Sequence, residues 1–203
     1  MPDHQIETNS SHLVRFRLVS PEIKHQATLR SAAELLARHP GAGTDEIARS
    51  AGISRATLHR QFANRDVLID ALEDLGIREI EAALDAARLD DDRAADALRR
   101  LADAVAPSAG LLAFLMSQAQ LWDRSDPNPG WDRIDHRVQD LFRRGQRDGD
   151  FRIDQNPVWL AEAVYGLISS AAWCIHTGLV GQAEFPTMIV DLLLDGVRRQ
   201  EGS

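Results

Sequence analysis

From residue 21 onward, apolar side chains recur three and four positions apart, and each such run is closed by a cluster of Pro or Gly. That alternation permits a succession of amphipathic helices and little else. Ile23, Ala27, Leu29, Ala32, Ala33, Leu35 and Leu36 form the first stripe, opened by Pro21 and ending near Arg38, and His39-Pro40-Gly41-Ala42-Gly43 then forces a turn. A long run from Asp66 to about Arg88 carries Val67, Leu68, Ala71, Leu72, Leu75, Ile80 and Leu84. Asp90-Asp91-Asp92 reads as the opening of the next helix, where the dipole favours carboxylates. Helices are predicted from Arg93 to Ala106, Leu111 to Trp122 and Asp132 to Asp148, with Pro and Gly clusters at 107–110 and 126–130 between them. Asn156 and Pro157 start the most apolar helix, to about Thr177, and a last one runs from Phe185 to Arg199. Ala, Leu and Arg dominate and aromatics are only 5%, so the fold class is all-α and a β-sandwich is excluded.

Several function classes lack their residues. Cys174 is the only cysteine, so neither an intrachain disulfide nor a multi-cysteine metal cage is available. The seven histidines show no metal-ligand spacing, and no phosphate loop, dinucleotide fingerprint or Gly-x-Ser-x-Gly elbow is present. Cys174 and His176, two apart on a helix, face away from each other. Neither a metal, a cofactor nor an enzymatic activity is expected. With no leader-like apolar run at the N-terminus and no uncharged apolar stretch of about 18 residues, the expectation is a cytoplasmic protein that does not engage a membrane.

The net charge of −8 hides a split. Residues 1–65 hold nine Lys or Arg against six Asp or Glu, whereas 66–203 hold fourteen against twenty-five. The basic end contains Thr44-Asp45-Glu46-Ile47-Ala48-Arg49-Ser50-Ala51-Gly52-Ile53-Ser54-Arg55-Ala56-Thr57-Leu58-His59-Arg60-Gln61-Phe62, which reads as a helix-turn-helix. Thr44 is placed as the cap of its first helix, Gly52 at the left-handed exit and Ser54 as the cap of the second. With Leu58 and Phe62 inward, Ala56, Thr57 and Arg60 face outward, and Arg55, His59 and Gln61 lie at the margins. Such a face can read a major groove: Arg reads guanine, Gln reads adenine, and a Thr methyl meets a thymine methyl. The arm over residues 1–20, with Arg15 and Arg17, is either a minor-groove anchor or an unstructured tail.

Together these residues resemble the TetR family of bacterial transcriptional regulators. Leu29 to Leu36 is similar to the family's first helix, and Phe62-Ala63-Asn64-Arg65-Asp66-Val67-Leu68 to the start of its fourth. Gly145 to Arg152 resembles the junction before its dimerising helices. His59 stands where the family commonly has Tyr, Arg65 where it has Lys, and Ala56 where it often has Gly; the first two replacements keep a phosphate donor. The resemblance implies a three-helix DNA-binding domain over 21–66 and a larger helical effector-binding and dimerisation domain over 67–203. Its DNA-binding residues would be Thr44, Ser54, Arg55, Ala56, Thr57, His59, Arg60, Gln61 and Arg65. It also implies a homodimeric repressor released from a double-stranded DNA operator by a small-molecule effector. The effector is expected to be hydrophobic or aromatic, from the candidate lining residues Leu111, Phe114, Leu115, Met116, Gln118, Trp122, Trp131, Val138, Trp159, Trp173 and Cys174. An activator, or a ligand-binding helical protein that no longer reads DNA, stays open as an alternative.

Overall fold

The structure is a computed structural model that describes residues 21–197; the arm with Arg15 and Arg17, and Arg199, lie outside the described residues. Ten α-helices are arranged in it, with no strand among the described residues. In the N-terminal part these are α1 (Pro21–Arg38), α2 (Thr44–Ser50), α3 (Arg55–Gln61) and α4 (Arg65–Ala87). The remainder comprises α5 (Ala94–Val105), α6 (Ala109–Met116), α7 (Ala119–Trp122), α8 (Pro129–Arg147), α9 (Pro157–His176) and α10 (Phe185–Val197).

Two apolar cores meet along α4 and α6. The first gathers Leu29, Ala32 and Leu36 of α1, Ile47 of α2, Leu58 of α3 and Phe62, and Leu68, Ile69, Leu72 and Leu75 of α4, closed by Leu111, Phe114, Leu115 and Leu121. The second gathers Ile77, Ile80 and Leu84 of α4 with residues of α5, α8, α9 and α10, among them Leu98, Phe142, Ile168 and Leu194. Each buried Leu, Ile or Phe among these contributes about 1.5–3 kcal/mol. Half of α4 is therefore anchored in each core. At 1.5 Å per residue it is a rod about 35 Å long.

Three local expectations are corrected. Asp90-Asp91-Asp92 does not open α5; it forms a turn in which Arg88 and Asp92 are left-handed, at φ of 46° and 52°. Arginines hold that turn by its carbonyls, Arg144 donating to Leu89 (2.6 Å) and Asp92 (2.7 Å), and Arg100 to Ala87 (2.8 Å). The start of α5 is instead capped from far away in sequence, where Asp150 accepts from the Ala94 amide at 3.0 Å and from Arg93 at 2.7 Å. Second, the helix expected from Leu111 to Trp122 is broken at Ser117-Gln118, where the Phe114 carbonyl accepts the Ser117 hydroxyl at 2.6 Å and the Gln118 side-chain amide at 3.2 Å beside the Ser117 backbone amide at 3.1 Å. Third, Thr44 is the first residue of α2 and not its cap. That place is taken by Gly43, whose amide donates to Glu46 Oε2 at 3.0 Å.

By length and composition α9 is long and apolar enough to cross a membrane, where no such segment is expected from the sequence, and it contains the charged Glu162. Leu160, Ala161, Val164, Ile168 and Ala171 bury one of its faces in the second core. Trp159 and Trp173, 63% and 62% exposed, stand outside it.

Candidate functional site

The reading head is built from short-range bonds. Gly52 carries the chain out of α2 at φ +66°, a conformation costly for a residue with a Cβ, and the Ile53 amide closes the turn on the Ala48 carbonyl at 3.0 Å. Ser54 caps α3 as expected: its Oγ accepts from the Thr57 amide at 3.1 Å and lies 2.9 Å from the Thr57 hydroxyl. Leu58 and Phe62 are buried, and His25 of α1 stacks over Phe62 with ring centroids 4.9 Å apart. Arg55, Ala56, His59 and Arg60 are therefore left on the exposed face of α3. Thr57 and Gln61 are half-buried, and Gln61 Oε1 is shut away from solvent with no hydrogen-bond partner among the described residues. Arg55 lies 3.4 Å from Asp45 in an exposed ion pair that costs little to open.

Arg65 behaves differently from the other head arginines. Its guanidinium donates to the carbonyls of Ala42 (2.9 Å) and Pro40 (2.8 Å), tying the start of α4 to the α1–α2 loop. Asn64 caps α4 by accepting from the Val67 amide at 2.9 Å.

The eleven candidate lining residues are divided among five places. Leu111, Phe114 and Leu115 fill the first core and Val138 the second. The Gln118 amide is used at the α6–α7 break. Trp159 and Trp173 stand exposed on α9, where Cys174 is half-buried. Met116, Trp122 and Trp131 do converge, on a cavity of about 360 Å³ completed by Leu112, Asp135, Glu162 and Tyr165. A second hollow, of about 470 Å³, lies where α1, α4, α6 and the end of α9 meet, and includes Arg30, Glu79, Leu111 and His176.

In the smaller cavity the two indoles touch, with centroids 5.4 Å apart. The Tyr165 hydroxyl donates to Asp135 Oδ1 at 2.8 Å. Burial raises the Asp135 carboxyl above the usual carboxylate range, against the lowering effect of the Tyr165 bond. Burial, with the adjacent Asp135 charge, pushes the Tyr165 phenol far up as well, so it stays a donor. Trp131 has a second role, because its Nε1 donates at 2.8 Å to Oε1 of Glu73, a carboxylate only 1% exposed on α4. Arg124 neutralises that carboxylate, donating to Glu73 Oε2 at 3.1 Å and also to Asp70. Glu73, Arg124, Asp135, Glu162 and Tyr165 escape the sequence reading. For Glu73 a signal exists: it falls on the inward stripe of α4, one position after Leu72 and four after Ile69, where a carboxylate needs a partner. Among the described residues, no three His, Cys, Asp or Glu side chains are grouped to hold a metal.

A capped recognition helix on a small three-helix head, mounted by a continuous α4 on a larger helical body, defines a helix-turn-helix regulator. Residues 29–72 match the profile of bacterial regulatory proteins of the tetR family. The HTH-type transcriptional regulator NfxB of Pseudomonas aeruginosa is 33% identical over 156 residues, covering 73% of this chain and 83% of that protein. The chain belongs to the tetR family and is a DNA-binding transcriptional regulator. Its fold is shared with the TetR-like regulator LfrR of Mycobacterium smegmatis, solved in complex with proflavine, at a TM-score of 0.73 and 22% identity over 88% of this chain and 98% of that one. The ketosteroid transcriptional regulator KstR2 of Mycobacterium tuberculosis aligns with a TM-score of 0.61 and 18% identity, over 87% and 96% of the two chains.

Proposed function

We propose that the protein is a homodimeric repressor whose two α3 helices enter successive major grooves of a near-palindromic operator, and that a small molecule bound in the helical body releases it. The observation that carries this reading is α4, whose first half belongs to the head core and whose second half belongs to the body core. A wall of the body cavity, Trp131, is bonded to buried Glu73 near the middle of α4. A ligand that displaces the indole acts on that bond, tilts α4 and alters the separation of the two heads, which must match a groove repeat of about 34–36 Å.

The head then spans 21–66 and the body 67–203, with α4 crossing between them. Arg60 and Arg55 supply base and phosphate contacts, joined by Ala56, Thr57, His59 and Gln61, while Thr44 and Ser54 present the helix starts to the backbone. Arg65 supports this surface by holding the loop carbonyls of Pro40 and Ala42. Pairing of subunits is supported by the uncovered apolar side chains of α9 and α10, namely Val158, Trp159, Trp173 and Leu192. LfrR takes proflavine, an aromatic molecule, and the indole-lined cavity here favours an aromatic effector. The cytoplasm, where the operator lies, is the place of action.

Purified full-length protein incubated with sheared genomic DNA at low and moderate salt tests the reading, with the retained fragments sequenced. Enrichment of one short near-palindrome is expected, with Arg60→Ala altering base preference by about 1–3 kcal/mol at one position. Equal weakening on every sequence would limit Arg60 to phosphate contact. A folded dimer that retains no DNA would overturn the reading.

A further inference from the structure

The cavity beside Trp131 has a definite charge. Its lining contains two carboxylates, Asp135 and Glu162, and no lysine, arginine or histidine. Its remaining walls are the Trp122 and Trp131 indoles, the Tyr165 ring, Leu112 and Met116. Tyr165 occupies Oδ1 of Asp135 and thereby orients the carboxylate, leaving Oδ2 for a ligand. Met116 is held from the other side by the Ser169 hydroxyl, 3.2 Å from its sulfur, and Trp122 is anchored through Nε1 to the Met116 carbonyl at 3.2 Å. The aromatic wall is therefore fixed before any ligand arrives.

We propose that this cavity is the effector site and that it selects a flat organic cation, stacked on one indole of the Trp122–Trp131 pair, whose planes lie 50° apart, with Asp135 and Glu162 as its counter-ions. The inference rests on the effector-released reading given above and adds the ligand's chemical class to it. Three features of the cavity agree with such a ligand. An electron-rich ring face attracts a cation and stacks on a flat one. A carboxylate within a partly buried, apolar wall is poorly solvated, and a ligand cation restores the solvation that burial removed. Finally, about 360 Å³ matches a ligand of roughly three fused rings, at the small end of the range for ligand pockets. An anion would face two like charges, and a neutral ring would leave the half-buried Asp135 carboxylate uncompensated.

Isothermal titration of the full-length protein with three compounds of one shape separates these cases: 10-methylacridinium as the cation, acridine at a pH where it is neutral, and anthracene-9-carboxylate as the anion. The cation is expected to bind on the order of tenfold or more tightly than acridine, and the anion not at all. Glu162→Gln, at an exposed rim position that tolerates change, is expected to reduce the preference for the cation severalfold, and Asp135→Asn to reduce it further. Both variants are first checked for native helicity and a cooperative melt. Equal binding of the three compounds, no binding of the cation, or a preference that survives Glu162→Gln and Asp135→Asn would overturn the inference. The same compounds added to the operator complex keep the two readings apart. Charge-selective binding without DNA release would overturn effector control while leaving the site, and release by a neutral or anionic compound, unaffected by Glu162→Gln, would overturn the cation site while leaving effector control.

Discussion

Removing the Arg124 side chain strips a buried carboxylate of its counter-ion, and the cost can be worked from its surroundings. Glu73 is 1% exposed and accepts from Arg124 at 3.1 Å and from the Trp131 indole at 2.8 Å. In Arg124→Ala the indole N–H is the one side-chain donor left to it among the described residues. Breaking a buried pair in this way costs about 3–5 kcal/mol. Arg124 is 31% exposed on its side chain, so water can partly replace it, which places the expectation near the low end, about 3 kcal/mol. The additional Arg124–Asp70 bond is half-exposed on the Asp70 side and adds less than about 1 kcal/mol. For a chain of this length the sum corresponds to a fall in Tm of roughly 6–16 °C, measured by thermal unfolding at fixed protein concentration. The control is Glu73→Gln, which removes the charge: in that background Arg124→Ala should cost under about 1 kcal/mol, because no uncompensated charge remains. An equal cost in both backgrounds, or a cost below about 1 kcal/mol in the native background, refutes the argument that Arg124 serves to neutralise Glu73. Trp131→Phe extends the test to function. It preserves the cavity wall and removes the bond to α4, so ligand should still bind while its ability to release DNA falls.

Ser54→Ala removes the acceptor for the Thr57 amide and is expected to destabilise the head by about 1 kcal/mol in urea titration, with weaker operator binding; an unchanged midpoint would show that water replaces the cap. Asp135 gives a pH dependence of defined sign. Because its folded pKa lies above the unfolded value, the ionised group opposes folding, so its contribution improves as pH falls through the folded pKa. Asp135→Asn should therefore melt higher than the native protein at about pH 7.5, with the advantage shrinking toward about pH 4; a constant difference across that range contradicts the assignment. Trp159→Asp together with Trp173→Asp, both on the exposed face of α9, should yield monomers in analytical ultracentrifugation and abolish operator binding, whereas a persisting dimer would move the interface elsewhere.

The helical class and the reading head were decided by neighbours in the chain, and for that reason they are legible in the sequence. Leu58 and Phe62 are four apart on the wheel, Ser54 caps three residues ahead, and Gly52 turns alone. Boundaries fail where a side chain competes with the backbone, as Ser117 and Gln118 do for the Phe114 carbonyl, a contest that periodicity does not register. Whatever depends on partners distant in sequence was decided by the tertiary structure. Asp150 caps α5 from 56 residues away. Trp131 reaches Glu73 across 58 residues and Arg124 reaches it across 51. Eleven inward-looking candidates were divided among two cores, a helix break, an exposed face and one cavity. An amphipathic stripe specifies that a side chain faces inward. Which interior it meets, and whether that interior is filled or hollow, is set by how the helices pack around α4.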